Sequence, residues 1–370
     1  MTQEERDKLL RLDDLYGKLA LLYRRERDFK AISNIDEEFK KFMDYRERGA
    51  KYFPQIKCPG ANFSQSTLDL GKYLLKEFNN FDCYLSEFYI DIISLLVGRI
   101  EYYMGKRSIQ WYTTTNAQTP SLENFNAALN VIKEHPYSEV GTSDKDRNIR
   151  ADKAAELIQA HIDKRGYKWK VELTDKILPR MSVDTEQKMY VKDSARFSRI
   201  DIAGLKAHEV DGHVGRRYYG LMTGLHLFHH GLTGRNNLDE GLAVYNSLHK
   251  CRTPKPNILF NTAIKTIMVY KCQTLDFCEL FEYCKLLCPS YPDDKLFTAM
   301  IRLKSDLRDT SIMGCCGDDQ SYFCGYQLVK TLTDEQRDDI LKWNIGPNQL
   351  KDLPDIKRFF KLNKFEPLIK

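Results

Sequence analysis

The run His208-Glu209-Val210-Asp211-Gly212-His213 sets two imidazoles and a carboxylate within one short stretch. Neutral ring nitrogens are zinc ligands, and a carboxylate beside a metal-held water is a general base, so these residue types suit metal-assisted hydrolysis. The spacing is not the H-E-x-x-H of a regular helix. Histidines four apart share a face, whereas five residues advance about 500° and leave the second ring about 140° from the first. A π-bulge around Asp211 and Gly212 would absorb the extra residue and return His213 to the face of His208. Gly212 suits that distortion because glycine tolerates unusual dihedrals and close approach, at about 1 kcal/mol relative to alanine in mid-helix. On the bland alternative both histidines are ordinary polar residues on an exposed face, and the six-residue pattern alone does not decide between the two.

A hydrolytic zinc site needs a third protein ligand and an open position for water. The segment Asn237-Leu238-Asp239-Glu240-Gly241-Leu242-Ala243 offers Glu240 near the start of a second helix. The competing expectation is that Glu240 closes a capping box with Asn237, three residues earlier. Asp239 competes as a ligand or as a group supporting one. His226, His229 and His230 form a rival metal cluster, with His226 and His230 four apart. No glutamate follows His226, and Gly231 soon ends that segment.

These groups need rigid elements to hold them. Ser198 reads as an N-cap, with Asp201 three residues on and Phe197 and Ile202 placed as a hydrophobic staple, so a helix carrying His208 and His213 begins there. Ahead of it, alternation over 167–173, 180–183 and 188–191 predicts three short strands after Gly166. Residues 3–49 carry apolar positions at helical spacing (Leu9, Leu12, Tyr16, Leu19, Tyr23), as one long helix or two. After the break from Pro54 to Gly60, helical periodicity resumes over 67–103, and Pro120-Ser121 opens a helix over 121–133. Further helices are expected over 238–249, 258–288, 294–304 and 333–343.

Composition narrows the classes of function. A chain of 370 residues with 42% hydrophobic positions buries a sizeable core. A net charge of +5 is too small and dispersed to announce nucleic-acid binding, though it suits an acidic peptide. The longest apolar stretch, 90–97, is interrupted by Asp91 and falls far short of the roughly 20 residues that cross a bilayer. The charged N-terminus lacks a secretory apolar run, so a cytoplasmic location is expected. Ten cysteines in that compartment should be reduced, and Cys272, Cys278, Cys284 and Cys288 read as buried helical thiols.

Four blocks in order carry a resemblance: Ala195-Arg196-Phe197-Ser198; the H-E-x-x-x-H of His208 to His213, continuing to Arg216 and Gly220; Glu240-Gly241-Leu242-Ala243; and the stretch from Arg302 to Gly325. Together they resemble the microtubule-associated tyrosine carboxypeptidase family, related to bacterial flavohaemoglobin-expression-modulating proteins named for a Q-E-G-L-A motif. The resemblance implies zinc held by His208, His213 and Glu240, with Glu209 as catalytic base. It also implies removal of a C-terminal aromatic residue, best known as the terminal tyrosine of the acidic α-tubulin tail, and hence a cytoskeletal association. Asp211-Gly212, Asp239 and Tyr219 depart from the family's usual residues, as does the less basic Arg302-Leu303-Lys304-Ser305-Asp306, which puts the substrate in question more than the metal.

A carboxypeptidase must grip a terminal carboxylate, which arginine does bidentately. Arg216 and Arg302 are nominated, with Arg217 and Arg308 behind them, and Tyr322 as a hydrogen-bond donor to that carboxylate or to the oxyanion. The expected fold is α+β and predominantly helical: a zincin-like metallopeptidase core with a small antiparallel sheet before the H-E-x-x-x-H helix. Residues 1–60 are expected as an N-terminal helical extension and 61–370 as the catalytic domain. Two alternatives stand: a zinc peptidase or amidase acting on another substrate, and an inactive helical protein that binds microtubules or a partner. Glu209 argues against the second, since a structural zinc site needs no base.

Overall fold

The computed structural model describes residues 1–27, 32–57, 61–116, 119–138, 147–177, 179–251, 256–307, 309–315, 318–363 and 365. The N-terminal apolar stripe forms α1 (Gln3–Arg27), where Leu9, Leu12, Tyr16, Leu19 and Tyr23 are all buried. A separate α2 (Ile35–Glu47) follows. The periodic stretch from Thr67 to Tyr103 divides into α3 (Gln65–Asn79) and α4 (Ser86–Tyr103). After the short α5 (Ile109–Asn116), α6 (Leu122–Glu134) starts at Ser121, whose hydroxyl accepts the Asn124 amide.

β1 (Ile149–Arg150) leads into α7 (Ala151–Arg165), which is not among the expected helices although Ala151, Ala154, Ile158 and Ile162 form a buried stripe. Three strands fall where alternation places them: β2 (Lys170–Thr174), β3 (Met181–Val183) and β4 (Lys188–Lys192). Their sheet is mixed rather than antiparallel as expected. The order is β2-β4-β3, with β3 antiparallel to β4 and β2 parallel to it. Alternation fixes which side chains share a face and is blind to strand direction, so it could not separate the two arrangements. A second pair, β1 with β5 (Arg196–Phe197), is antiparallel and sets Ile149 opposite Phe197.

α8 (Arg199–Leu205) opens as the sequence predicts, with Ser198 and Asp201 exchanging hydrogen bonds in a capping box. Arg180 forks onto Asp201 at 3.0 and 3.1 Å, tying the start of β3 to this cap. The chain continues through a π-helical segment, Lys206–Val214, into α9 (Gly215–Met222).

Next come α10 (His226–His230) and α11 (Arg235–His249). The expected stretch 258–288 is two helices, α12 (Ile258–Lys271) and α13 (Phe277–Leu287), because Asp276 caps a new helix with Glu279. α14 (Asp293–Lys304), α15 (Ser321–Thr331), α16 (Asp334–Lys342) and α17 (Leu353–Leu362) complete the fold. Among the described residues no helix is long and apolar enough to cross a membrane.

Three apolar clusters organise these elements. The first joins α1, α3 and α4 to Leu227 and Phe228 of α10, Leu238 and Leu242 of α11, and the C-terminal helices. The second gathers α6, α12, α13 and α14 around Phe42, Phe281 and Phe297. The third packs α7 and the strands against Val210 and Val214 of the π segment. α11 lies where they meet and is crossed by α15 almost in backbone contact. A Cβ on Gly325 would stand 1.8 Å from the Asn237 carbonyl oxygen, and one on Gly241 would stand 2.3 Å from Gly325. Only glycine fits either position.

Candidate metal centre

The π-helical turn adds the residue that a regular helix has no room for, and it brings the His213 ring to 5.0 Å from that of His208, edge to face. Gly212 allows this turn to lie against α11, since a Cβ there would sit 3.1 Å from that of Ala243. Asp211 points outward, away from the rings. Its carboxylate meets His161 at 3.0 Å and Arg165 at 2.7 Å, pinning the π segment to α7.

α11 begins at Arg235 behind a left-handed Gly234 rather than at Asn237, so Glu240 is not engaged in a capping box. Its carboxylate is instead delivered to the histidines: Oε2 lies 3.4 Å from Nε2 of His213 and 3.6 Å from Nε2 of His208. The three side chains offer one ligand atom each within 4.8 Å of one another, the one such trio among the described residues.

Each histidine turns its other nitrogen to a support. His213 Nδ1 lies 3.0 Å from Asp239 Oδ1, and His208 Nδ1 lies 3.4 Å from the Ser247 hydroxyl, which donates to the Ala243 carbonyl. Partners of this kind fix ring orientation in metal sites and strengthen the ligand. Asp239 was open between ligand and support; the structure places it behind His213. Ser247 lies two helical turns beyond Glu240 on the same face, outside the Glu240–Ala243 block.

The charges are strongly coupled. Burial would depress the His213 imidazolium, but Asp239 and Glu240 more than reverse this and hold it well above the usual histidine range. Burial would raise Glu240, yet His213 and His208 bring it down to about 2. Asp239, against burial, is held well below the carboxylate range by His213 and Arg216.

Tetrahedral ligands at about 2.1 Å from a metal stand about 3.4 Å apart, close to the separations of Glu240 Oε2 from the two Nε2 atoms. That oxygen is buried and, among the described residues, accepts no hydrogen bond of good geometry. Two imidazole nitrogens and one carboxylate oxygen at these separations fit a metal ion of that size.

The remaining expected residues divide. Tyr322, on α15, stacks nearly parallel to His208 with centroids 6.4 Å apart, and Glu240, ahead of burial, raises its hydroxyl pKa well above the ordinary value. Glu209 lies close enough for its charge to act on both Tyr322 and Arg217. Arg302 is half exposed, 3.9 Å from Asp319. Lys265, which no motif singles out, donates to the same Asp319 carboxylate at 2.9 Å and sits over the Tyr322 ring at 4.8 Å.

Arg216 does not fit the carboxylate grip expected of it. Its guanidinium is completely buried, donates to the Ile345 carbonyl at 2.9 Å and to Asn344 at 3.2 Å, and lies 3.9 Å from Asp239. No substrate carboxylate reaches it without opening the core. Arg217 is likewise committed, donating to the Val183 carbonyl, and Arg308 lies outside the described residues. The rival histidine cluster gathers no comparable ligand set: His229 faces the Thr185 and Arg217 carbonyls, and burial pushes it down to about 4.

A family model described as microtubule-associated tyrosine carboxypeptidase matches residues 79–300, more than half of the chain and spanning the π segment and Glu240. No curated protein matches the chain.

Proposed function

This chain belongs to the microtubule-associated tyrosine carboxypeptidase family, and on that premise we propose that it is a zinc-dependent carboxypeptidase that releases a C-terminal tyrosine from an acidic tail such as that of α-tubulin. Family membership supports carboxypeptidase chemistry; zinc, the residues and the substrate are our reading. The observation that carries it is the Glu240 carboxylate held 3.4 and 3.6 Å from two Nε2 atoms, with a buried oxygen that accepts no hydrogen bond of good geometry among the described residues.

In this reading His208, His213 and Glu240 hold the ion, and a bound zinc supplies Lewis acidity and lowers the pKa of water to about 7. Glu209 accepts the proton of the attacking water and passes it to the departing amine, a role typically worth about 10²–10⁴ in rate. Asp239 and Ser247 keep the imidazole Nδ1 atoms occupied so that both Nε2 atoms face inward. Arg216 is a positioning residue, bracing Asp239 from behind. The terminal carboxylate of the substrate is met by Lys265 and Arg302, whose shared partner Asp319 holds them on the Tyr322 side of the site. Tyr322 donates its hydroxyl as a hydrogen bond to substrate oxygen.

We take 61–370 as the catalytic unit in a zincin-like arrangement, with 1–60 packed on it, and a cytoplasmic, microtubule-associated setting. The test is a set of peptides ending Glu-Glu-Tyr, Glu-Glu-Phe, Glu-Glu-Ala and the tyrosine amide. Release of the aromatic residues, with the amide refused, is expected. Internal cleavage or equal turnover of the amide would exclude a carboxypeptidase.

A further inference from the structure

A second charged site lies at the other end of α11 from its last turn, on a cavity of about 780 Å³ bounded by α1, α4, α5 and the first turn of α11. Five arginines line it: Arg24, Arg27, Arg99, Arg107 and Arg235. Among its described lining residues the carboxylates are Asp91 and Asp318. Arg107 pairs with Glu101 at 2.6 Å and Arg235 reaches Asp239 at 3.5 Å, so part of this charge is answered from outside the cavity. Asp318 is felt by both Arg99 and Arg27. Arg24 donates to the Thr185 hydroxyl, and burial followed by repulsion from Arg217 and Arg235 pushes its pKa down to about 9. These five cations face a half-enclosed space whose described lining holds two carboxylates, a setting that attracts an anion.

Two further observations point the same way. Thr233 to Asn237, the amino end of a fifteen-residue helix, form one wall, and the glycine at its N-cap provides no capping side chain. The Arg235 and Asn237 amides are already taken by the Leu232 and Gly234 carbonyls, so what this end of the helix offers an anion is its dipole. Tyr23 and His230, 5% and 6% exposed, also line the cavity, and among the described residues the Tyr23 hydroxyl and both ring nitrogens of His230 meet no hydrogen-bond partner. Buried polar atoms of this kind ordinarily have partners.

We propose that this cavity is a binding site for a compact organic polyphosphate, separate from the metal centre and bridging α1 to α11. The volume lies within the range of small-molecule sites, and arginine forks match phosphate oxygens. None of His208, Glu209, His213, Glu240 or Tyr322 lines it, which favours a small enclosed ligand over a peptide threaded from the metal. Asn236 lies one turn before Glu240 and Ser321 directly precedes Tyr322, so an occupant would stiffen the elements that carry both.

The probe is inositol hexakisphosphate, added to the full chain and followed by thermal unfolding and calorimetry beside inorganic phosphate, sulfate at equal ionic strength, and hexaglutamate. We expect a rise in Tm beyond the sulfate control. Binding should weaken at least about tenfold, near 1.4 kcal/mol, in Arg99→Gln, and less in Arg107→Gln at the rim. Glu240→Gln should bind as the wild type does, since chelation at the metal centre is then removed. A Tm rise no larger than with sulfate would overturn the proposal, as would loss of binding in Glu240→Gln or hexaglutamate binding more tightly than the polyphosphate. Should Arg99→Gln fail to fold, unchanged affinity in the half-exposed Arg107→Gln variant would overturn it equally.

Discussion

The second turn of α11 and its first turn carry opposite chemistry. At Glu240 a carboxylate gathers two imidazoles, and every ring has its rear nitrogen held by a neighbour. At Gly234 to Asn237 the same helix faces long, flexible arginines around open space. The first site is specified by short side chains and fixed separations, the second by accumulated charge. Geometry of the first kind selects an ion by size and ligand type, while the second answers to the number of charges a ligand brings. Substitutions should therefore act sharply at the metal centre and in gradations at the cavity.

The largest expected effect separates them outright. Glu240→Gln removes the charged ligand, and zinc measured by plasma emission after dialysis should fall to background while polyphosphate binding persists. Concerted loss of both would mean that the two regions form one site. A smaller effect follows from the support behind His213: Asp239→Asn should weaken zinc affinity about 10–100-fold, read by chelator competition, with the far-ultraviolet dichroism unchanged. Unaltered affinity would show that Asp239 does not orient the ring.

Gly325→Ala tests the scaffold common to both regions. The added methyl meets the Asn237 carbonyl oxygen, and overpacking of this kind costs about 1–3 kcal/mol, read from the midpoint of urea unfolding. A neutral result would contradict the close crossing of α15 and α11.

The smallest effect concerns the outer anchor of the π segment. Burial would raise Asp211, but His161 and Arg165 outweigh it and lower its pKa. A carboxylate depressed in the folded state contributes stability that is present above its unfolded pKa, near about 4, and lost as pH falls through the folded value. Asp211→Asn should therefore cost about 0.5–1 kcal/mol at pH 7, and the gap from wild type should close as pH falls through the lowered folded value. A gap that widens in acid would reverse the sign of the argument.

Much of the candidate metal centre was legible because its residues are close in sequence and chemically distinctive. The five-residue separation of the histidines demands a wider turn, and the structure supplies one over 206–214. Ser198 and Asp201 announce their helix through a local hydrogen-bond pattern. What escaped depends on distant partners. Arg216 carries the residue type of a carboxylate grip, yet its burial is decided by Asn344 and Ile345, more than a hundred residues away. Lys265 gains significance only through Asp319 and Tyr322 on later elements. The cavity joins arginines from α1, α4 and α11 whose spacing in the chain carries no pattern. The order β2-β4-β3 is likewise a long-range choice that alternation within each strand leaves open.

The central claim, that Glu209 performs proton transfer at a metal held by His208, His213 and Glu240, is tested most directly by tyrosine release from a peptide ending Glu-Glu-Tyr. Wild type and Glu209→Gln are compared with zinc quantified in the same samples. Equal zinc in both, with release reduced at least about 10²-fold in the variant, is the predicted result. Release that survives the substitution, or a wild-type protein that takes up no zinc, would contradict the account.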